Sequence, residues 1–257
     1  MHLDRLYHIG FGRSDLGENP PSTALLSGDP RRARAIAQAT DGVRCIKTLN
    51  ENRGLNSYLC ELADGTRFCS MTTGMGGPSL SIVANEAFQV GMRRMIRVGT
   101  CGSIQEHIRA GSVAIASGAV CYQGAADDIA PPEFPAVCDP FLTVKLAQCA
   151  AELGVEHYVC LCASTDTFYE GQERVSGANP TLLRRQRGLI EELRSLNVGF
   201  FEMETATLAK MGVVYGFAAG SVCAVIADRS ESEQPKLELK AQAVGDAVRV
   251  ALSSLCC

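Results

Sequence analysis

The sequence predicts a single α/β domain spanning residues 1–257, with a central mixed β-sheet flanked by helices. Three observations carry that expectation. Short runs rich in Val, Ile, Leu and Ala alternate with helical-period segments along most of the chain, the pattern of strands joined by crossover helices. Asp64-Gly65 between two strand-like runs is a hairpin signal, so some neighbouring strands must be antiparallel. Several of the predicted strands end in Gly-rich or polar turns, the places where α/β folds bind ligands. There is no internal repeat, low-complexity tract or linker to divide the chain.

In order, residues 1–21 read as an irregular lead-in ending at Pro20-Pro21, and 23–27 as a short apolar strand. Asp29 can cap a helix whose first turn holds Pro30. That helix, about 31–39, opens with Arg31 and Arg32, the wrong sign for the positive end of a helix dipole. Residues 43–49, 57–62 and 66–72 are strands, with Arg53 in the polar loop between the first two. Gly74, Gly76 and Gly77 then form a turn, and Pro78-Ser79 opens a helix over 79–91. The strand at 95–98 breaks into Gly99-Thr100-Cys101-Gly102-Ser103, and a further strand spans 113–117. Residues 122–139 read as a surface loop, followed by a helix at 143–153 and a strand at 155–163. A charged helix is predicted over 182–196, a strand over 198–201 and a helix over 205–211. The last strand, 217–227, leads to a final helix over 236–255, with Leu237, Ala241, Val244, Val248, Ala251 and Leu255 at helical spacing.

Composition narrows the function class. Of the residues, 46% are hydrophobic and 20% charged, ordinary for a soluble globular chain. The formal net charge of −4 gives no global field for nucleic acid or an anionic membrane, so no nucleic-acid or membrane partner is expected. The twelve cysteines are scattered and form no Cys-x-x-Cys, which reads as reduced, mostly buried small hydrophobes. His2, His8, His107 and His157 show no ligand spacing, so no metal is expected. The N-terminus carries no apolar core of signal length, and no run of about 18 apolar residues exists, so a cytoplasmic location is expected.

The chemistry collects at the predicted strand ends. Arg32 and Arg97 at two of them suit a dianion, with Gly28, Thr100 and free backbone N–H groups beside them. The Gly-rich turns lack the spacing of a P-loop or a dinucleotide fingerprint. Glu204, at a strand-to-helix corner, suits a pair of vicinal hydroxyls, while Phe168 and Tyr169 offer aromatic faces and Gln172 can both donate and accept. Taken singly, each is a solvated Arg, a capping Glu or a core Phe. Together they describe an anion, a diol and a flat heterocycle, which is a nucleoside plus phosphate.

Five segments carry a resemblance in order along the chain: Gly28-Asp29-Pro30, residues 73–79, residues 97–102, residues 166–174 and Glu202-Met203-Glu204. Through them the chain resembles the uridine phosphorylases of the nucleoside phosphorylase family, of the bacterial hexameric type. Gln172-Glu173-Arg174 points to the pyrimidine branch; the other motifs, apart from residues 166–174, are shared with purine phosphorylases. The resemblance implies reversible phosphorolysis of uridine to uracil and ribose 1-phosphate, with inorganic phosphate as co-substrate and no cofactor. Carried onto matching positions, it makes Gly28, Arg32, Arg97 and Thr100 phosphate ligands, with Arg53 reaching in from a neighbouring subunit. Glu204, Met203 and Thr100 would contact the ribose, as would the neighbour's His8. Gln172, Arg174 and Phe168 would hold the base, and Arg229 would help it leave, so Arg97, Glu204 and Arg229 form the catalytic set. It also implies a homo-oligomer, a dimer-based hexamer with shared active sites. Gly54 stands where close relatives carry a Glu that helps bind a monovalent cation at the dimer interface, which counts against that cation here. Asp228, beside Arg229, stands where Asn is usual and close to the acid of purine phosphorylases, which keeps a purine or broad-specificity phosphorylase open. A nucleoside hydrolase and a non-catalytic nucleoside-binding module are the other classes; the three arginines speak against the first.

Overall fold

Ten strands join in one sheet, and five of them close on themselves. The computed structural model describes residues 5–230, 232 and 234–256, so His2 and Cys257 lie outside it. The strands are β1 (Thr23–Ser27), β2 (Val43–Asn50), β3 (Ser57–Leu62), β4 (Arg67–Thr72), β5 (Arg94–Ser103), β6 (Val113–Tyr122), β7 (Ala136–Val137), β8 (His157–Thr165), β9 (Val198–Glu202) and β10 (Ala218–Asp228). The helices are α1 (Pro30–Gln38), α2 (Gly77–Gln89), α3 (Gly124–Asp127), α4 (Pro140–Glu152), α5 (Leu189–Ser195), α6 (Thr205–Tyr215) and α7 (Leu237–Ser253). The strand order is β10-β6-β8-β9-β5-β1-β4-β3-β2, and β10 also pairs with β5. That extra pairing makes a ring of β5, β10, β6, β8 and β9, with β1, β4, β3 and β2 as a wing. Both parallel and antiparallel pairs occur, as the mixed-sheet expectation required.

One strand belongs to both parts. On one side β5 pairs with β10 along its whole length, from Arg94 opposite Ala218 to Ser103 opposite Asp228. Its other side is divided: Arg94 to Arg97 pair with β1, and Gly102 and Ser103 pair with β9. Between these two stretches, Val98 to Cys101 have no strand partner on that side. The sheet forks there, and a fork of this kind leaves a crevice with backbone groups free to bind a ligand.

Most predicted elements are present, and the differences have physical causes. β5 does not stop at Val98 but continues through Gly99 to Ser103, because β10 supplies a full ladder that local composition cannot reveal. Likewise β6 extends to Tyr122 on the support of parallel β8. Residues 122–139 contain a short helix, α3, and the short strand β7 rather than loop alone. The helix expected over 182–196 begins only at Leu189: Gly188 takes φ 77°, a left-handed conformation that breaks a helix, and a single 3₁₀ turn at Arg184–Gln186 precedes it.

Packing follows the layers. Leu25, Ile96, Val98, Val113, Ile115 and Val222 meet the apolar stripes of α1, α4 and α7 in one cluster. A second cluster lies under α2 and α6. A third takes Cys101, Ala114, Cys162, Phe200 and Cys223 from the five ring strands, together with Ala206 and Ala209 of α6. Thiols and methyls suit such a tightly curved surface, where larger side chains would overpack. Among the described residues no helix is long and apolar enough to cross a membrane.

Candidate active site

The fork in β5 opens into a cavity of about 550 Å³ lined by the turns after β1, β4, β8, β9 and β10. Two Gly-rich turns meet at its floor. A Cβ on Gly28 would lie 3.1 Å from the carbonyl oxygen of Gly74, so the close approach leaves little room for a side chain. Asp29 accepts a hydrogen bond from the N–H of Arg31 (2.8 Å) and caps α1, which starts Pro30 and Arg32 at the cavity wall. Arg32 reaches the fork itself, where its Nη1 donates to the carbonyl of Val98 at 2.9 Å. Burial, and then the neighbouring charge of Arg97, pull Arg32 below its ordinary pKa.

Arg97 is 5% exposed and held by two carboxylates. Its Nε donates to Glu202 at 2.8 Å, and its Nη2 lies 2.5 Å from Glu204. Burial opposes its charge, yet Glu204 and Glu202 together hold its pKa well above the usual value. Glu202 is fully enclosed and also accepts the backbone N–H groups of Glu204 and Thr205 and the hydroxyl of Ser164. An anion at the start of α6 is stabilised by the helix dipole as well as by Arg97. Glu204 accepts the N–H of Gly76 at 2.6 Å, which ties this carboxylate to the turn that opens α2. Desolvation, opposed by Arg97 and reinforced by Glu202, raises the Glu204 pKa. Thr100 and Met203 line the same space.

The other end of the cavity is built by residues 166–174. Glu173 takes a left-handed φ of 55° and turns its carboxylate away, onto the N–H groups of Gly188 and Ile190 at the start of α5. That twist sends its two neighbours the other way: Gln172 (3% exposed) and Arg174 (6% exposed) both line the cavity. Gln172 donates to Thr165 Oγ1 at 3.3 Å, and the Arg174 guanidinium lies 4.2 Å from the centroid of the Phe168 ring. Arg229 is not among the lining residues; it packs against Gly102 and Phe201, which are. Its Cδ would be 3.2 Å from a Cβ on Gly102, and its guanidinium lies 5.4 Å from the Phe201 centroid. Asp228 does not line the cavity; its carboxylate accepts from the N–H and hydroxyl of Ser230.

Of the residues singled out from sequence, Gly28, Arg32, Arg97, Thr100, Phe168, Gln172, Arg174, Met203 and Glu204 all line this cavity. Arg229, His8 and Arg53 do not. His8 faces a separate hollow beside α2, with its Nδ1 2.7 Å from Glu86, and Arg53 donates to the Tyr7 hydroxyl at 2.9 Å. Sequence reasoning did not single out Glu202 as the holder of Arg97, although two acids flanking Met203 just ahead of a helix were a usable signal. Gln123 was also missed. Its amide donates to the carbonyl of Met203 (2.6 Å) and accepts from Thr207 (2.9 Å), which fixes the corner carrying Glu204. Among the described residues no His, Cys, Asp and Glu cluster is arranged to hold a metal ion.

The cavity brings together two arginines, two buried carboxylates and an amide–guanidinium pair. Residues 22–255 match the sequence pattern of the Phosphorylase superfamily. The chain belongs to that superfamily. Within it, the chain is 38% identical to the uridine phosphorylase of Salmonella typhimurium over 99% of its own length and 98% of that protein's. It is 37% identical to the uridine phosphorylase of Thermococcus kodakarensis, covering 95% and 86% of the two chains. A guanosine phosphorylase of Halorubrum lacusprofundi is more distant, at 28% identity over 79% of this chain and 76% of that protein. The superfamily assignment agrees with the mixed-sheet fold.

Proposed function

We propose that this chain is a uridine phosphorylase, cleaving uridine with inorganic phosphate to uracil and ribose 1-phosphate. The observation that carries it is the joint placement of Gln172 and Arg174 in the cavity that holds Arg97 and Glu204. An amide and a guanidinium offer paired donors and an acceptor to a pyrimidine edge, and losing such partners discriminates far more strongly than losing apolar contact. The purine alternative needs an acid on the base, and Asp228 is engaged by Ser230 instead. The curated uridine phosphorylases are also nearer in sequence than the guanosine phosphorylase.

In the mechanism, a phosphate oxygen forms the new bond to C1′ while the bond from C1′ to N1 breaks and its electron pair leaves with the base. The nucleophile is already an anion, so no side chain has to activate it. Catalysis then consists of positioning and electrostatics. Arg32, Arg97, Gly28 and Thr100 hold the phosphate below the ribose. Glu204 accepts from the ribose hydroxyls while Met203 packs on the sugar. Phe168 stacks on the base, Gln172 and Arg174 grip its edge, and Arg229 supplies positive charge beneath it as negative charge arrives.

Charge balance supports a composite site. Within one protomer, Arg32 and Arg97 at the phosphate end are offset by Glu202 and Glu204, so a dianion finds no net positive charge there. Arg53 of a partner subunit would supply it, and the partner subunit's His8 would reach the 5′-hydroxyl. A two-fold interface through the hollow beside α2 gives two such sites per dimer, and we read the assembly as a dimer-based hexamer. No cofactor is needed, and Gly54 leaves no acid for an interface cation. The test is a panel of uridine, thymidine, inosine and adenosine, each with and without phosphate. Phosphate-dependent release of uracil from uridine, ahead of the purines, is expected; preference for inosine would overturn the pyrimidine reading.

A further inference from the structure

Glu173 stands at a position whose backbone favours glycine. The 3₁₀ turn Glu170–Gln172 closes with the N–H of Glu173 on the carbonyl of Glu170 at 3.1 Å. The N–H of Arg174 reaches the carbonyl of Tyr169 at 2.8 Å. This paired closure puts Glu173 at its left-handed residue, φ 55° and ψ 37°, where Gly is the usual choice because a Cβ crowds the backbone. A glutamate persists in such a conformation only when its surroundings over-determine it. Its carboxylate does so by accepting the N–H of Gly188 and, at 2.7 Å, the N–H of Ile190. These bonds bridge residues 175–187, which contain no strand and a single 3₁₀ turn, Arg184–Gln186. Beyond the bridge, Leu189 and Leu193 of α5 join Val198 and Phe201 of β9 in one apolar cluster. The carboxylate therefore fastens the turn to the framework around β9, the strand that ends in Glu202. Gln172 and Arg174, on either side of Glu173, line the cavity, and Glu173 does not.

We propose that Glu173 is a positioning residue for base recognition: its carboxylate clamp holds the left-handed turn that directs Gln172 and Arg174 into the cavity. The inference rests on the uridine phosphorylase reading, in which those two side chains grip the base. Groups displaced by about 1 Å from their working geometry lose much of their effect, so a residue outside the cavity can govern what happens in it. Glycine at 173 would suit the backbone and leave the clamp unmade, so substitution separates the two contributions.

The experiment compares Glu173→Gly and Glu173→Gln with the wild type. It measures kcat and KM for uridine, KM for phosphate and the inhibition constant of uracil, with circular dichroism to confirm the folded fraction. In Glu173→Gly the inhibition constant of uracil should rise about tenfold or more, the size of effect for recognition groups moved off their working geometry. KM for phosphate should stay within about twofold, because the clamp lies beside the base-gripping pair only. Glu173→Gln keeps one acceptor oxygen and should fall between Glu173→Gly and the wild type. A merely structural role would lower the folded, active fraction, and with it kcat, while leaving the uracil constant unmoved. An unchanged uracil constant in Glu173→Gly, or a Glu173→Gln as impaired as Glu173→Gly, overturns the assignment and leaves uridine phosphorolysis standing. If the wild type releases no uracil from uridine in the presence of phosphate, the functional reading fails and takes the Glu173 assignment with it.

Discussion

Replacing Arg97 by Met tests the centre of the site in two ways at once. The substitution keeps the length of the side chain and removes the charge between Glu202 and Glu204, whose side chains are 0% and 5% exposed. Taking one member out of a buried ion pair costs about 3–5 kcal/mol, because the remaining charge is left uncompensated. For a chain of this size that corresponds to a fall in Tm of roughly 6–20 °C. Activity should drop by about 10²-fold or more at subsaturating phosphate, the size of effect seen when one well-placed electrostatic group is deleted. The stability loss should depend on pH with a definite sign. Arg97 opposes the upward shift of Glu204, so removing it raises that carboxyl further. A folded-state pKa above the unfolded value gives stability that is present at low pH and lost as pH rises through the folded pKa. The deficit of Arg97→Met relative to wild type, read from urea midpoints, should therefore be smallest at mildly acid pH and grow towards neutrality. Adding Glu202→Gln should recover part of the stability and none of the activity. A variant with normal turnover at low phosphate, or with an unchanged and pH-independent midpoint, would refute the reasoning.

Three further outcomes are expected. Arg53→Ala and Arg97→Met subunits, each nearly inactive, should regain about a quarter of wild-type activity when co-expressed, since half of freely mixed dimers are mixed and each has one intact site; no recovery, with mixing confirmed by two-tag purification, excludes the shared site. Gln172→Ala should lower kcat/KM for uridine at least tenfold while leaving the KM for phosphate within about twofold, because it removes partners at the base end only. Lys210 is fully buried, with its Nζ on Asp127 (3.0 Å) and the carbonyls of Ala130 and Pro131. Lys210→Met should cost about 1–3 kcal/mol in the unfolding midpoint and speed amide exchange in residues 124–131; unaltered exchange there means the staple does not hold that segment.

The parts of this molecule legible in its sequence are those decided within a few residues. Asp29-Pro30 announced the start of α1, Asp64-Gly65 announced the β3–β4 hairpin, and the spacing from Leu237 to Leu255 announced α7. The strand-end residues could be gathered into one site because α/β topology sends such ends to one rim. What stayed hidden was decided by partners far away in the chain. β5 continues past Gly99 because β10, more than a hundred residues later, pairs along its length and β9 pairs with its end. Gln123 looks like an ordinary polar residue until Met203 is placed against it, and the Glu202-Met203-Glu204 pattern does not by itself say that Glu202 holds Arg97. Gly188, an unremarkable glycine in a charged segment, shortens the predicted helix by taking a left-handed φ.

The ring has a consequence for how the protein comes into being. β5 acquires its full set of neighbours only when β10, beginning at Ala218, is available to close the circle. Contacts across so great a sequence separation are reached late, because the entropy of closing the loop must be met first. A ribosome adding about 5–20 residues per second would have made β1 to β9 many seconds' worth of chain before that strand emerged. Until then the strand bearing Arg97 has a bare edge of hydrogen-bonding groups, an invitation to pair with other chains. Nascent chains interrupted before residue 218 should therefore be inactive and prone to aggregate, and binding activity should arrive together with the last strand rather than grow gradually.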